Sequence, residues 1–183
     1  MSEQLRHVDT SLTLASAERI VNATLAARHR EHLLPLAVAV LDAGGNLVTF
    51  KREDGSGVLR FDIARGKAWA ALGMGMATRT IRDRMRERPA FQAALAAAAD
   101  GRFIPVPGGV LILNTAGHAI GAVGVSGDAS DKDEFCAIEG VLSAGFDADP
   151  PAPHPDWRNA GLCLYQRGRC HISRRTPCNT RTS

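Results

Sequence analysis

Aromatic residues make up only 5% of this chain, so its core has to be built from alanine, valine, leucine and glycine. Side chains this small let helices and strands approach closely. No apolar run is long enough to span a bilayer. The opening residues, Met1-Ser2-Glu3-Gln4-Leu5-Arg6, hold acid and polar groups and no apolar leader segment. The expectation is a cytoplasmic protein with no membrane partner. Cysteine is sparse too: Cys136 falls in a helical pattern, and Cys163, Cys170 and Cys178 lie in the last stretch without a CxxC pair. This argues against a disulfide framework and makes Cys136 a small buried hydrophobe.

A strong excess of one charge is also missing. The net charge is +3, and the stretch from Gly168 to Ser183 carries Arg169, Arg174, Arg175 and Arg181 without an acid. The rest is close to neutral, and no aromatics interleave with the basic residues, so nucleic acid is not an expected partner. Common motifs fail as well. Gly66-Lys67 is followed by Ala68, which breaks a phosphate loop, and Gly73-Met74-Gly75 lacks the third glycine of a dinucleotide fingerprint. Gly124-Val125-Ser126-Gly127 misses a nucleophile elbow by one position. Asp128 to Glu134 lacks the central glycine of a calcium loop.

What is present is a regular alternation of elements. The length of 183 residues fits one domain, and 45% hydrophobic residues suffice for a core. Leu14, Ala17, Val21 and Leu25 fall on one stripe, predicting a helix over 13–32 that Thr13 caps and Pro35 ends. Strands are predicted over 36–41 and 47–51, joined by the turn Asp42-Ala43-Gly44-Gly45-Asn46. An alanine-dense helix over 61–76 carries Gly66, Gly73 and Gly75, which suggests close packing on another backbone. A charged, mostly solvated helix over 78–88 and a helix opened by Pro89 follow. A second hairpin covers 110–113 and 119–126, and Ser130 or Asp131 caps a last helix to Ala144. Two hairpins imply antiparallel pairing, hence an α+β fold. From Asp147 the run Asp149-Pro150-Pro151-Ala152-Pro153-His154-Pro155 reads as an extended linker. The expected division is a domain over 1–146, then a Pro-rich linker and an irregular, disordered basic tail over 147–183.

Several segments, in this order, resemble the GlcG/HbpS family, which includes the C-terminal domain of PduO. They are Ala39-Val40-Leu41-Asp42-Ala43-Gly44-Gly45, Arg52-Glu53-Asp54-Gly55 and Ile63-Ala64-Arg65-Gly66-Lys67-Ala68. Pro105-Val106-Pro107-Gly108-Gly109-Val110, Gly121-Ala122-Val123-Gly124-Val125-Ser126-Gly127-Asp128 and Ser130-Asp131-Lys132-Asp133-Glu134 continue the series. The resemblance covers about residues 12–146. It implies a profilin-like fold, with a five-stranded antiparallel sheet and helices on both faces. It also implies a homo-oligomer, a dimer or larger ring, and a small-molecule ligand that in some members is haem. Function transfers less well than fold.

The candidate site residues each have two readings. Lys67 stands on an alanine-lined helix, where it either holds a ligand carboxylate or pairs with Asp62 or Glu134. Asp131, Asp133 and Glu134 either supply a general base or an amide or metal contact, or satisfy the helix dipole. Pro107, Gly108, Gly109, Ser126 and Gly127 either offer backbone N–H groups to an anion or form tight turns. Arg52 either pairs with Asp54 or meets a ligand. A haem iron needs an axial ligand, and His29 and His32, three residues apart, are the candidates; a cation at a helix C-terminus is the other reading. His118 sits in a turn, His7 could fold over a neighbouring subunit, and Met74 and Met76 serve packing. Three functions follow: a haem- or tetrapyrrole-binding oligomer, a cofactor-independent enzyme on a small organic acid or carbonyl compound using Lys67 and Glu134, and a structural assembly protein.

Overall fold

The computed structural model describes residue 6 and residues 8–162. His7 and the three cysteines of the tail lie outside the described residues.

The predicted alternation is observed with small shifts in boundaries. Helix α1 covers Leu14–Arg30, β1 Ala37–Asp42 and β2 Leu47–Arg52. Helices α2 (Arg60–Met74), α3 (Thr78–Met85) and α4 (Pro89–Ala98) come next. Strands β3 (Gly109–Leu113) and β4 (Ala119–Ser126), helix α5 (Ser130–Ser143) and β5 (Asp147–Asp149) complete the set. The sheet has five strands in the order β2-β1-β4-β3-β5, and every pair is antiparallel. The fold is α+β.

Alternation along the central strands assigns the two faces. Val38, Val40, Val110, Ile112, Val123 and Val125 point toward α1 and α5 and form the larger core with Ile20, Val21 and Ile138. The opposite face, with Leu41, Leu111 and Ala122, packs on Ala68 and Ala71 of α2. Helix α3 is not wholly solvated: Ile81 and Met85 are buried with Ala70, Ala99 and Phe103 in a third cluster. Helix α4 buries none of its residues.

Close packing occurs as the glycines predict at Gly66 of α2, where a Cβ would lie 2.8 Å from the Ile104 side chain and 3.2 Å from Arg102 O, and it is tighter still on the strands. A Cβ on Gly124 would strike the carbonyl oxygen of Ala64, and one on Gly109 would strike that of Lys67. Two strand glycines thus let α2 lie directly on the sheet.

Two expectations need correction. Asp147–Asp149 do not begin a linker; they pair with Leu111–Leu113 of β3 as the fifth strand. Beyond them Trp157 stacks on Phe135 of α5, with ring centroids 3.8 Å apart. Three residues are too few to show the period of two on which a strand reading rests. The start of α5 differs as well. Its N-cap is Ala129, with no side-chain cap. Instead Asp128 Oδ1 accepts the Ala129 N–H at 2.7 Å, and Asp133 Oδ1 accepts the Asp128 N–H at 3.0 Å. These two carboxylates fix the backbone of the residues just ahead of the helix. At α1, Thr13 Oγ1 accepts the Ser16 N–H at 3.3 Å, as expected.

Candidate functional site

Lys67 lies on the sheet-facing side of α2 and is only 3% exposed. Its ammonium donates to Val125 O at 2.8 Å and to Asp133 Oδ2 at 2.9 Å. Gly108 brings the loop before β3 against this group: a Cβ there would meet Lys67 Nζ at 2.9 Å, and its φ of 114° is a left-handed value that favours glycine. Lys67, Asp133, Gly108 and the end of β4 thus meet in one place. Neither Asp62 nor Glu134 is the partner of Lys67; Asp62 is exposed, and Glu134 is turned about 100° around α5 from Asp133. Burial pushes the Asp133 carboxyl up to about 6, while the Lys67 ammonium and the Asp128 N–H pull it down.

The neighbouring turns are filled by the protein. The Gly109 N–H donates to Thr78 Oγ1 at 2.9 Å, and Thr78 Oγ1 donates back to Gly109 O at 3.2 Å. Gly108 O accepts the Val125 N–H at 2.9 Å. Ser126 Oγ accepts from Arg60 at 3.2 Å. A Cβ on Gly127 would strike Pro35 O. Pro107 is buried in the same loop. The geometry is that of tight turns, and the Gly109 N–H is not free for an anion.

Glu134 is fully buried, and neither carboxyl oxygen takes part in a hydrogen bond among the described residues. Arg79 of α3 approaches Oε2 at 3.3 Å. Burial pushes Glu134 up to about 7 against the pull of the Arg79 cation. The sign for stability follows: a proton held more tightly in the fold stabilises fully below the ordinary 4.5 and is lost as pH rises through about 7. Glu134→Gln is expected to remove a fall in stability on the order of 3 kcal/mol between those limits. Urea unfolding of both proteins from pH 4 to 8 checks this; parallel profiles would contradict it. Arg79 was not a candidate from the sequence, because its link to α5 joins distant segments with no local spacing to mark it.

Arg52 and His29 come together on the surface. They line one groove of about 430 Å³ with Arg28, Pro35, Glu53 and Asp54. No ion pair joins Arg52 to Asp54 among the described residues. Glu53 is the local hub: it accepts the Leu36 N–H at 2.8 Å, pairs with Arg28 Nε at 3.4 Å and with His29 Nε2 at 3.0 Å. His29 is 64% exposed at its side chain. His32 does not share this groove; it lines another of about 370 Å³ with Leu34, Asp128 and Lys132. His118 is exposed in its turn. Among the described residues no three histidine, cysteine or acidic side chains gather as a metal site, and no helix is long and apolar enough to cross a membrane.

A family model described as haem degrading protein HbpS-like matches residues 12–142. The chain belongs to the HbpS-like family. A Citrobacter freundii relative, an uncharacterised 15.0 kDa protein of the dhaT-dhaS intergenic region, is 33% identical over 128 residues, covering 69% of this chain and 87% of its own. The crystal structure of the Klebsiella pneumoniae protein ORFY matches with a TM-score of 0.66 at 27% identity, over 79% of this chain and 97% of that one. The complex of PduOC with haem matches with a TM-score of 0.66 at 22% identity, over 74% and 96% of the two chains. The last of these shows the shared fold.

Proposed function

We propose that the chain is a small-ligand-binding member of its family that takes haem or a related tetrapyrrole at the Arg28–His29–Arg52 groove. The observation that carries this is an exposed imidazole flanked by two guanidinium groups. An imidazole can ligate a haem iron, and guanidinium groups pair with propionates. The interior at Lys67 offers no such room, since its ammonium already has two partners.

The residues would fit the group once His29 gave up its two present side-chain contacts. His29 Nδ1 lies 2.9 Å from Arg28 Nη1, and Nε2 faces Glu53. For His29 to hold an iron through Nε2, its ring proton would have to sit on Nδ1, and both Arg28 Nη1 and Glu53 Oε1 would have to leave the ring. The other oxygen of Glu53, Oε2, would keep the Leu36 N–H and Arg28 Nε. Bound haem would supply an iron centre; the chain's part is to hold it and to counter its carboxylates. Val58, Leu59 and the exposed Phe91 of α4 also support assembly of several copies.

Haem titration is expected to produce a Soret band distinct from that of free haem, with affinity at least about ten-fold lower in His29→Ala and unchanged in His118→Ala. A titration without a shifted band, or equal affinity in His29→Ala, would overturn this site.

A further inference from the structure

Asp62, Arg65, Gly66, Trp69 and Gly73 recur at helical spacing on one face of α2. The chain from Ala98 to Phe103 runs beside this face, and two cavities open between them. One, of about 610 Å³, is polar and includes Asp62, Arg65, Asp100 and Arg102 in its lining. The next, of about 160 Å³, is apolar and bounded chiefly by Trp69, Met74, Leu95 and Phe103. An apolar cavity of about 150 Å³ is enough to admit a benzene ring. Arg102 bridges the two: it lines the polar cavity, and its guanidinium carbon lies 5.0 Å from the centroid of the Trp69 ring.

The charges of the polar cavity are balanced but incompletely paired. Arg102 meets Asp100 at 3.4 Å and donates to Ala99 O at 3.1 Å. Asp62 and Arg65 stand three residues apart on α2, a spacing at which opposite charges commonly pair. Among the described residues their side chains form no ion pair and no hydrogen bond. One guanidinium and one carboxylate therefore face the same space with their capacity unused, beside a hole the size of an aryl ring. A simple anion would use only the first, and a simple cation only the second.

We propose that this face of α2 binds a small zwitterion with a bulky apolar side chain, an α-amino acid of the aryl or branched aliphatic kind. Its carboxylate meets Arg65, with Arg102 beside it, its ammonium meets Asp62, and its side chain enters the cavity against Trp69. The site lies on other residues than the haem groove and does not depend on it.

The test is calorimetric titration of the full chain with phenylalanine, with 3-phenylpropionate and with 2-phenylethylamine. Phenylalanine is expected to bind saturably, and each analogue, lacking one charge, at least about ten-fold more weakly. Asp62→Ala and Arg65→Ala, both on the surface of α2, should each weaken phenylalanine to the same extent while keeping the thermal midpoint of the parent. No saturable binding of phenylalanine would overturn the proposal. Equal binding of phenylalanine and 3-phenylpropionate would also overturn it, because Asp62 would then read nothing.

Discussion

Lys67→Ala is expected to destabilise the fold by about 3–5 kcal/mol, the cost of leaving a buried charge without its partner. Lys67 and Asp133 are 3% and 1% exposed at their side chains and 2.9 Å apart. Removing the ammonium strands Asp133 and leaves Val125 O without that donor. In a domain of this size such a loss lowers the melting temperature by roughly 6–20 °C. The loss should be largest at neutral pH and should shrink on acidification, because the stranded carboxyl takes up a proton. Lys67→Met combined with Asp133→Asn removes both charges and keeps an acceptor for the Asp128 N–H. It is expected to recover at least half of the loss. Urea unfolding of the single and paired variants decides the matter; a single variant within about 1 kcal/mol of the parent would deny the pair this role.

Gly124→Ala should be nearly as damaging, at about 3 kcal/mol or more, beyond the usual cost of overpacking. The new methyl group would collide with the carbonyl of Ala64 and with Ala68 N, which are backbone atoms and cannot rotate away. To admit it, α2 must lift from β4. Gly73→Ala is the informative contrast. There the added Cβ would lie 3.5 Å from the Trp69 ring, an ordinary contact, and the change should stabilise by roughly 0.5–1 kcal/mol because alanine suits a helix interior better than glycine. Midpoints of denaturant unfolding for the two variants should therefore move in opposite directions. A Gly124→Ala protein as stable as its parent would mean that α2 sits less tightly on the sheet than described.

Much of this architecture was legible in the order of residues. Valine and leucine runs around glycine turns identified the two hairpins, and Thr13 marked the start of α1. Helix α2 was readable from its alanines, although the glycines that matter most for its seating are on β3 and β4. Strand β5 was not readable: its three residues carry no period, and only pairing with Leu111–Leu113 makes them a strand. The candidate site divides in the same way. Lys67, Asp133 and the loop at Gly108 were each singled out, and the fold brings them into contact. Their pairing was not legible, because α2 and α5 pack on opposite faces of the sheet and no local spacing joins Lys67 to Asp133. The groove at His29 needed Glu53, which lies in a recognised segment but whose reach from the end of β2 to Leu36, Arg28 and His29 no local spacing marks.

The two ends of the sheet bear on how copies of this chain can meet. One end is β5, three residues long and followed directly by Pro150, which has no N–H to offer. The other is β2, whose last residues Lys51 and Arg52 are exposed, and whose register with β1 slips between Val40 and Leu41. Short length, proline, flanking cations and irregular pairing all discourage edge-to-edge aggregation. Continuation of the sheet from one molecule into the next is thereby disfavoured, which leaves the helical faces as the surfaces on which an assembly of this fold can be built.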